Sequence, residues 1–416
     1  MQHPHPPSGA RFRLLLLVLF ALLAAAPAAA QEAPRFLIEK ISVAGNRRPA
    51  SARIVVSESL LKEGQTYGED ELRTAIHRIK RLPFIIDADF ALKKGSERGR
   101  YELVVTVEET RPLFADIEVQ GDLAERPVIP NLPQASRRFD FSNNAALGVR
   151  EFLGSEGLVF ASIGSSNGLV QVGYTRYDLF GRGSFASFAL AYDPENRAFT
   201  PSLSAGVPLT VNQSLRATAS WLKSSFRSGG VREEFTQRSG QLDWLYNTTD
   251  DPLFPTRGGE LEANLAYGRF DSVAKFTDTG LATLRFDERT WGFSLSGRHH
   301  RPLTARQSLS FSFAASALQF ADDDPTPNSL SGTHGYQASV GVEHALDLLL
   351  GERAHRWGDL RLETSASYGG SYSGTAGVFG LDDHPAYQLT LGEKLVFRNP
   401  WAIVRLGVSY RGKVMR

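Results

Sequence analysis

The stretch Ser308-Leu309-Ser310-Phe311-Ser312-Phe313-Ala314-Ala315 alternates small polar with large apolar residues. In an extended chain successive side chains point to opposite sides, so serines line one face and Leu309, Phe311 and Phe313 the other. The same alternation sets Leu215, Ala217, Ala219 and Trp221 against Ser214, Arg216, Thr218 and Ser220. It sets Trp291, Phe293 and Leu295 against Gly292, Ser294 and Ser296, and Ala402, Val404, Leu406, Val408 and Tyr410 against Ile403, Arg405, Gly407 and Ser409. Each run is about 9–12 residues, the length a tilted strand needs to cross a bilayer. The apolar rail carries aromatics near its ends at Trp221, Tyr246, Tyr267, Phe320 and Tyr410, as an interfacial girdle does, and the Ser, Thr, Gly, Arg and Gln rail suits a wet lumen. Only a closed sheet satisfies its backbone groups in lipid. From Pro112 onward the chain is therefore expected to form an all-β, antiparallel transmembrane barrel rather than a soluble sandwich. An arginine should be tolerated at Ser310 and not at Phe311, and Glu393, on an apolar rail, should sit at headgroup level where charge costs least.

Composition agrees. The 416 residues include 46 Lys+Arg against 45 Asp+Glu, a formal net charge of +1, which argues against a nucleic-acid partner read through a basic patch. There is no cysteine, which removes disulfides, thiolate zinc sites and thiol nucleophiles together. Mean hydropathy is −0.22, so the apolar residues are spread by twos rather than gathered into spanning helices. The exception comes first: Arg11 and Arg13, then Leu14 to Ala26, then Pro27-Ala28-Ala29-Ala30. That is the layout of a secretory signal peptide over residues 1–30, its apolar core of about 13 residues falling short of the ~20 a spanning helix needs.

Between the leader and the barrel, residues 31–111 change period in order. Ile41 and Val43 with the stop at Gly45-Asn46 read as a strand and its turn, and 51–61 as a short helix. Thr66 and Glu69 have capping-box spacing ahead of Leu72, Ile76, Ile79 and Leu82, which recur at helical intervals up to Pro83. Two strands close the unit, about 84–92 and then the alternating Tyr101, Leu103, Val105 and Val107. The expected order is β-α-α-β-β, an α+β domain with a sheet edge and no catalytic constellation. From Pro112 to Arg416 roughly 305 residues at ~20 per strand with its connection give about 15 strands. Single-chain bacterial barrels are normally even-numbered, so 14–16 strands with an even count are expected, with 112–160 as linker plus first strands.

Several strings then resemble a known family. The β-α-α-β-β order, "Val43-Ala-Gly45-Asn46" and "Leu82-Pro83-Phe84" resemble a polypeptide-transport-associated (POTRA) domain. The turn Asn247-Thr-Thr-Asp250-Asp251-Pro252-Leu-Phe-Pro255-Thr256-Arg257-Gly258-Gly259 resembles the periplasmic D-P-x-x-P-T-R-G turn of the outer-membrane assembly-factor superfamily, the BamA/TamA-type surface-antigen barrels. "Tyr177-Asp-Leu-Phe180-Gly181-Arg182-Gly183", "Arg301-Pro302-Leu303" and Asn399-Pro400-Trp401 resemble further segments of it. The resemblance implies a bacterial outer-membrane location with the POTRA domain in the periplasm. It implies unfolded outer-membrane or exported polypeptides as clients, periplasmic or outer-membrane accessory proteins as possible partners, and no enzyme activity, cofactor or metal. The client edge it implies is the second POTRA strand, Ile85, Ile86, Asp87, Ala88, Asp89, Phe90 and Ala91. It also implies a long loop folded into the lumen, whose motif falls on Gly332, His334, Gly335 and Tyr336. Here His334 stands where the family has arginine, so a lock onto Glu343 or Glu363 lacks the permanent forked charge. The chain ends soon after Tyr410, so either Trp401 to Arg411 is the last strand or a closing strand is missing.

The remaining candidates have simpler readings. Asp322, Asp323 and Asp324 read as a solvated loop. His299-His300 face opposite ways on a strand, and Gly181-x-Gly183-x-x-Ala186 lacks the helix that a nucleotide loop needs. The expected function is insertion or translocation of polypeptides through POTRA strand capture and a lateral barrel seam. The alternative is a structural or pore-forming barrel whose POTRA domain docks a partner protein.

Overall fold

The computed structural model describes residues 34–47, 49–125, 137–150, 157–164, 168–228, 231–276, 284–322, 334–349, 358–374 and 386–414. The leader expected over 1–30, and Gly332 with the tract around it, lie outside the described residues.

The N-terminal domain runs β1 (Arg35–Ala44), α1 (Pro49–Ser59), β2 (Gln65–Gly68), α2 (Glu69–Ile79), β3 (Ile85–Lys94) and β4 (Arg100–Glu109). Its sheet order is β2-β1-β4-β3, with β1 and β4 parallel and the outer pairs antiparallel. Ile38, Val55, Leu72, Ile79, Leu103 and Val105 are almost fully buried between the helices and the sheet. The short β2 was not expected, and it shifts the helix start. Thr66 pairs with Leu37 inside β2, so the cap falls at Gly68, whose N–H donates to Glu71 Oε2 at 2.6 Å. Only the glutamate half of a capping box operates, because glycine has no side chain to return the bond. Gly45 turns out of β1 at φ +81°, where a Cβ would stand 2.3 Å from the Val107 carbonyl oxygen. Only glycine fits there.

The barrel strands are β5 (Leu113–Glu125), β6 (Arg137–Arg150), β7 (Gly157–Gly164), β8 (Val170–Tyr177), β9 (Phe185–Asp193), β10 (Ala198–Pro208), β11 (Gln213–Ser228) and β12 (Val231–Asn247). They continue as β13 (Gly258–Phe276), β14 (Leu284–Thr304), β15 (Gln307–Asp322), β16 (His334–Leu349), β17 (Asp359–Gly374), β18 (Ala386–Arg398) and β19 (Ala402–Val414). Each pairs with its chain neighbours, and β19 returns to β5 to close the cylinder. Among the described residues the count is fifteen, so the even-number expectation fails although the length arithmetic holds. With an odd number of strands joined by antiparallel steps, the first and last strands run the same way. The β19–β5 seam is accordingly parallel, registered from Ala402↔Ala115 to Arg411↔Ala124. Among the described residues β19 thus closes the cylinder by pairing with β5.

The faces divide as alternation requires. Ser308 and Ser310 are 1% and 2% exposed while Phe311 between them and the next turn is 53% exposed. Leu203, Trp221, Leu265, Phe293, Val340, Leu391 and Val408 stand exposed on the same outer wall. Trp221, Tyr267 and Trp291 lie about nine residues, or ~23 Å of height, above the strand ends nearest the N-terminal domain. Beyond that row the outer wall of β13 and β14 turns charged, with Arg269 Nε donating to Asp287 at 2.9 Å. An apolar band of that height, bounded by aromatics and then charge, is stable in hydrocarbon. Among the described residues no helix is long and apolar enough to cross a membrane, which says nothing of strands.

Candidate functional site

The N-terminal domain is docked on one rim of the barrel, and the dock is built from charged groups. Arg150, at the end of β6, reaches Glu109 at 3.0 Å, Ser51 Oγ at 2.9 Å and the Thr110 carbonyl at 3.2 Å, with its guanidinium 4.5 Å from the centroid of the Phe84 ring. Phe84 in turn meets Tyr177 edge to face at 5.6 Å. From α1, Ser57 bonds Asp178 and accepts the Gly183 N–H at 2.7 Å. The turn after β8 achieves this approach with Asp178, Gly181, Arg182 and Gly183 all at positive φ. A Cβ on Gly183 would lie 2.6 Å from Glu58 Oε2. That close passage is the physical content of the Gly-x-Gly string. Glu58 pairs with Arg78 at 2.8 Å, and Arg81 donates to the Asn247 carbonyl at 2.8 Å. Burial pushes the Glu58 carboxyl up to about 7 against the pull of Arg78 and Arg81, with Asp178 adding to the rise.

The Asn247–Gly258 segment does more than connect β12 to β13. Asp250 Oδ1 accepts the N–H groups of Thr256 at 2.8 Å and Arg257 at 3.1 Å, while Asp251 Oδ1 accepts those of Leu253 and Phe254, each at 2.8 Å. These two Asx-type turns curl Pro252 to Pro255 inward. Phe254 is 5% exposed and lies between two guanidinium groups, Arg361 at 5.0 Å and Arg398 at 4.6 Å from its ring. Arg361 also donates to the carbonyls of Phe254 and Pro255, each at 3.1 Å, and to Asp347 at 2.5 Å. Arg398 bridges Asp251 at 3.0 Å and Asp359 at 2.8 Å. Burial alone would raise Asp251, but Arg398 and the two backbone N–H donors hold it below the usual carboxylate range. Gly258 leaves the turn at φ +87°, where a Cβ would meet Thr248 O at 2.1 Å. The turn therefore reaches from β12–β13 across to side chains of β15, β17 and β18 at the docked rim. Above it Glu260, Arg298, Glu343, Glu363, Lys394 and Arg405 line a polar cavity of about 240 Å³. Farther up, Ser294, Ser296, Ser316, Ser339, Ser367 and Ser371 line a second cavity of about 350 Å³.

The loop motif is placed differently from expectation. His334, Gly335 and Tyr336 are the first residues of β16, in the wall at the end remote from the N-terminal domain, with His334 paired to Gln319 and Gly374. The His334 ring faces Tyr336 at 5.5 Å and Tyr372 at 5.9 Å, and Glu343 lies further down the same strand. These residues do not reach Glu343 or Glu363. The inward-reaching segment with an arginine clamp is the rim turn, and Arg361 and Arg398, which hold it, were not anticipated. Their signal in the sequence was a lone arginine on a strand rail, which any lumen can carry.

The expected edge residues Ile85, Ile86, Asp87, Ala88, Asp89, Phe90 and Ala91 all lie on β3, the outermost strand of its sheet. Among the described residues β3 pairs with β4 alone, with a bulge at Ile86 between the pairs Ile85↔Glu109 and Asp87↔Glu108. Ile85, Ile86 and Ala88 are buried and Asp89 and Ala91 exposed, so one face belongs to the domain core and the edge itself is open. Of the paired histidines, His300 turns into the lumen and meets Ser310 Oγ at 2.7 Å, while His299 is exposed. Among the described residues no group of three or more His, Asp or Glu is arranged to hold a metal.

No family model matches the sequence, and no curated protein matches it. Among solved structures, BamA from Haemophilus ducreyi lacking POTRA domains 1-3 superposes with a TM-score of 0.46 and 13% identity over 94% of this chain and 82% of that one. CdiB from Acinetobacter baumannii gives 0.42 and 9% over 88% and 61%. A bacterial polysaccharide outer membrane secretin gives 0.37 and 13% over 65% and 88%.

Proposed function

We propose that this chain is a bacterial outer-membrane barrel that inserts or translocates polypeptides, with the N-terminal domain acting in the periplasm as a POTRA module. The observation that carries the reading is the pairing of an open strand edge, β3, with a lipid-compatible cylinder on whose rim that domain is fixed. An open edge offers main-chain donors and acceptors to an extended segment, so backbone pairing can hold a client as an added strand. One sector of the wall is low: β7, β8 and β9, two to four strands along from β5, have 8, 8 and 9 residues against 13 in each seam strand and 21 in β14. At ~3.4 Å per residue and a tilt near 40° an eight-residue strand rises only ~20 Å, less than the ~25 Å apolar band of such barrels. Lipid must thin there, which lowers the cost of bringing a client strand to the wall. The driving force is client folding and burial, so the work needs no nucleotide, cofactor or covalent step. With the rim turn reaching into the lumen, the route proposed for the client is the outer wall and the β19–β5 seam rather than the central channel.

A structural or pore-forming barrel that docks a partner is the competing reading, and the unbroken ten-pair register of the seam favours it. Depletion separates the two. Loss of several unrelated outer-membrane proteins from the membrane is the expected outcome, whereas an unchanged protein profile with altered uptake of small solutes supports the pore.

A further inference from the structure

The hydrogen bonds along β3 are arranged in a way that bears on what its edge accepts. Thr110 donates its N–H to the Phe84 carbonyl at 2.9 Å, which sets the phase of the β3–β4 ladder. Beyond the bulge, Asp87 and Asp89 are the residues whose backbone groups face β4, registered with Glu108 and Thr106. Ala88 and Phe90 then turn their N–H groups to the open side. Both donors are already occupied: Asp87 Oδ1 accepts from Ala88 N–H at 2.9 Å, and Asp89 Oδ1 from Phe90 N–H at 2.8 Å. Asp87 is held in addition by Lys80 at 2.6 Å. An added strand would use the same two donors, so the carboxylates must leave before it can pair. Once released they lie beside the new strand, with Glu108 across the ladder on the same face as Asp87. A segment with cations on that face gives each carboxylate a new partner, and an acidic segment gives it only repulsion.

We infer that Asp87 and Asp89 form a charge gate on this edge, covering its free donors at rest and admitting extended segments with lysine or arginine at alternate positions. The inference rests on the strand-capture reading above and deepens it by naming the chemistry of the captured segment. The chain's own β19 has that pattern in sequence, with Arg405, Arg411 and Lys413 at odd positions.

The test uses the full chain in detergent micelles and two labelled synthetic peptides, residues 402–414 as they stand and the same peptide with those three cations replaced by glutamate. The wild type should prefer the basic peptide by about tenfold, and D87A/D89A should reduce that preference to within about twofold, as expected for the loss of two cross-strand charge pairs. D87N/D89N should also lose the preference, because the amide oxygen can still cover the donor but carries no charge. Hydrogen exchange of the 84–94 fragment without peptide reads the covers directly: it should quicken in D87A/D89A and stay near wild type in D87N/D89N. An undiminished preference in both double variants, or exchange unchanged by D87A/D89A, overturns the gate while leaving strand capture in place. Failure of every protein to bind either peptide overturns strand capture and the gate with it.

Discussion

Phe311 and Ser310 are adjacent in sequence and meet different media. Phe311 is 53% exposed on the outer wall, so Phe311→Arg places a guanidinium in hydrocarbon at a cost of ~2–4 kcal/mol. Folded barrel should be lost, read as absence of the fast-migrating band in unboiled gel samples. Ser310 was expected to tolerate arginine because it faces the lumen. It is instead 2% exposed and bonded to His300 beside the tucked turn, so no room exists there. Ser316, which lines the upper cavity, is the position where arginine should leave the folded yield near wild type. Alternation thus told which side each residue faces but not whether that side was filled. At the dock, Glu58 carries a pH dependence of definite sign. Its carboxyl stays protonated in the folded chain up to about 7, whereas the unfolded chain releases that proton in the ordinary carboxylate range. The folded state therefore holds more protons across that window, and its stability falls as pH rises through it. Limited proteolysis at the 110–112 junction should be faster at about pH 8 than at about pH 5.5, and Glu58→Gln should flatten the difference. Persistence of the full pH profile in the Gln variant would assign it to another group.

A strand's place in the wall decides what a charge on it costs. Glu393 is exposed on the outer face of β18, in one transverse row with His344 and Thr364, and Leu395 and Phe397 continue the apolar rail below it toward the rim. It lies within the band rather than at headgroup level, against expectation. Glu393→Leu should raise the temperature at which the gel-shifted form is lost, by removing a buried-in-lipid charge worth up to ~2 kcal/mol; a fall in that temperature would mean the carboxylate has a partner in the membrane. The inward turn is the other element with a distinct consequence. Arg361→Ala with Arg398→Ala removes both cations from Phe254 and strands Asp251 and Asp347, so the turn should release and bilayer conductance should rise several-fold over wild type. Strand direction, length and facing were legible because period two is written locally. The turn's position was not, since nothing between Asn247 and Gly258 names the arginines more than a hundred residues away that hold it. The parity of the barrel was hidden for a similar reason: residues 112–160, rich in Asn, Pro and Arg, supply β5, β6 and the start of β7, and strand number depends on them.

At the scale of the whole molecule, the domain and the barrel are joined by a buried ion pair among their polar and aromatic contacts. Arg150 and Glu109 have side chains 7% and 0% exposed, and the guanidinium simultaneously serves Ser51, Thr110 and the face of Phe84. Such a pair gains little over an apolar contact, but breaking one half is costly because the remaining charge stays buried. Arg150→Ala should therefore loosen the dock by ~3–5 kcal/mol, the usual penalty for an uncompensated buried charge. The barrel owes its closure to strand ladders that this arginine does not enter, so its heat-resistant gel mobility should be retained. The N-terminal domain keeps its own core of Ile38, Leu72, Ile79 and Leu103, so it should remain folded but become releasable by protease at the junction. Arg150→Met with Glu109→Leu should restore protection, since neither charge is left behind. If the fixed placement of β3 over the rim matters for handing a client to the seam, Arg150→Ala should reduce assembly of outer-membrane proteins while the double replacement recovers it. Equal assembly by all three proteins would show that the domain works as a free tether, and the fixed dock would then have no part in transfer.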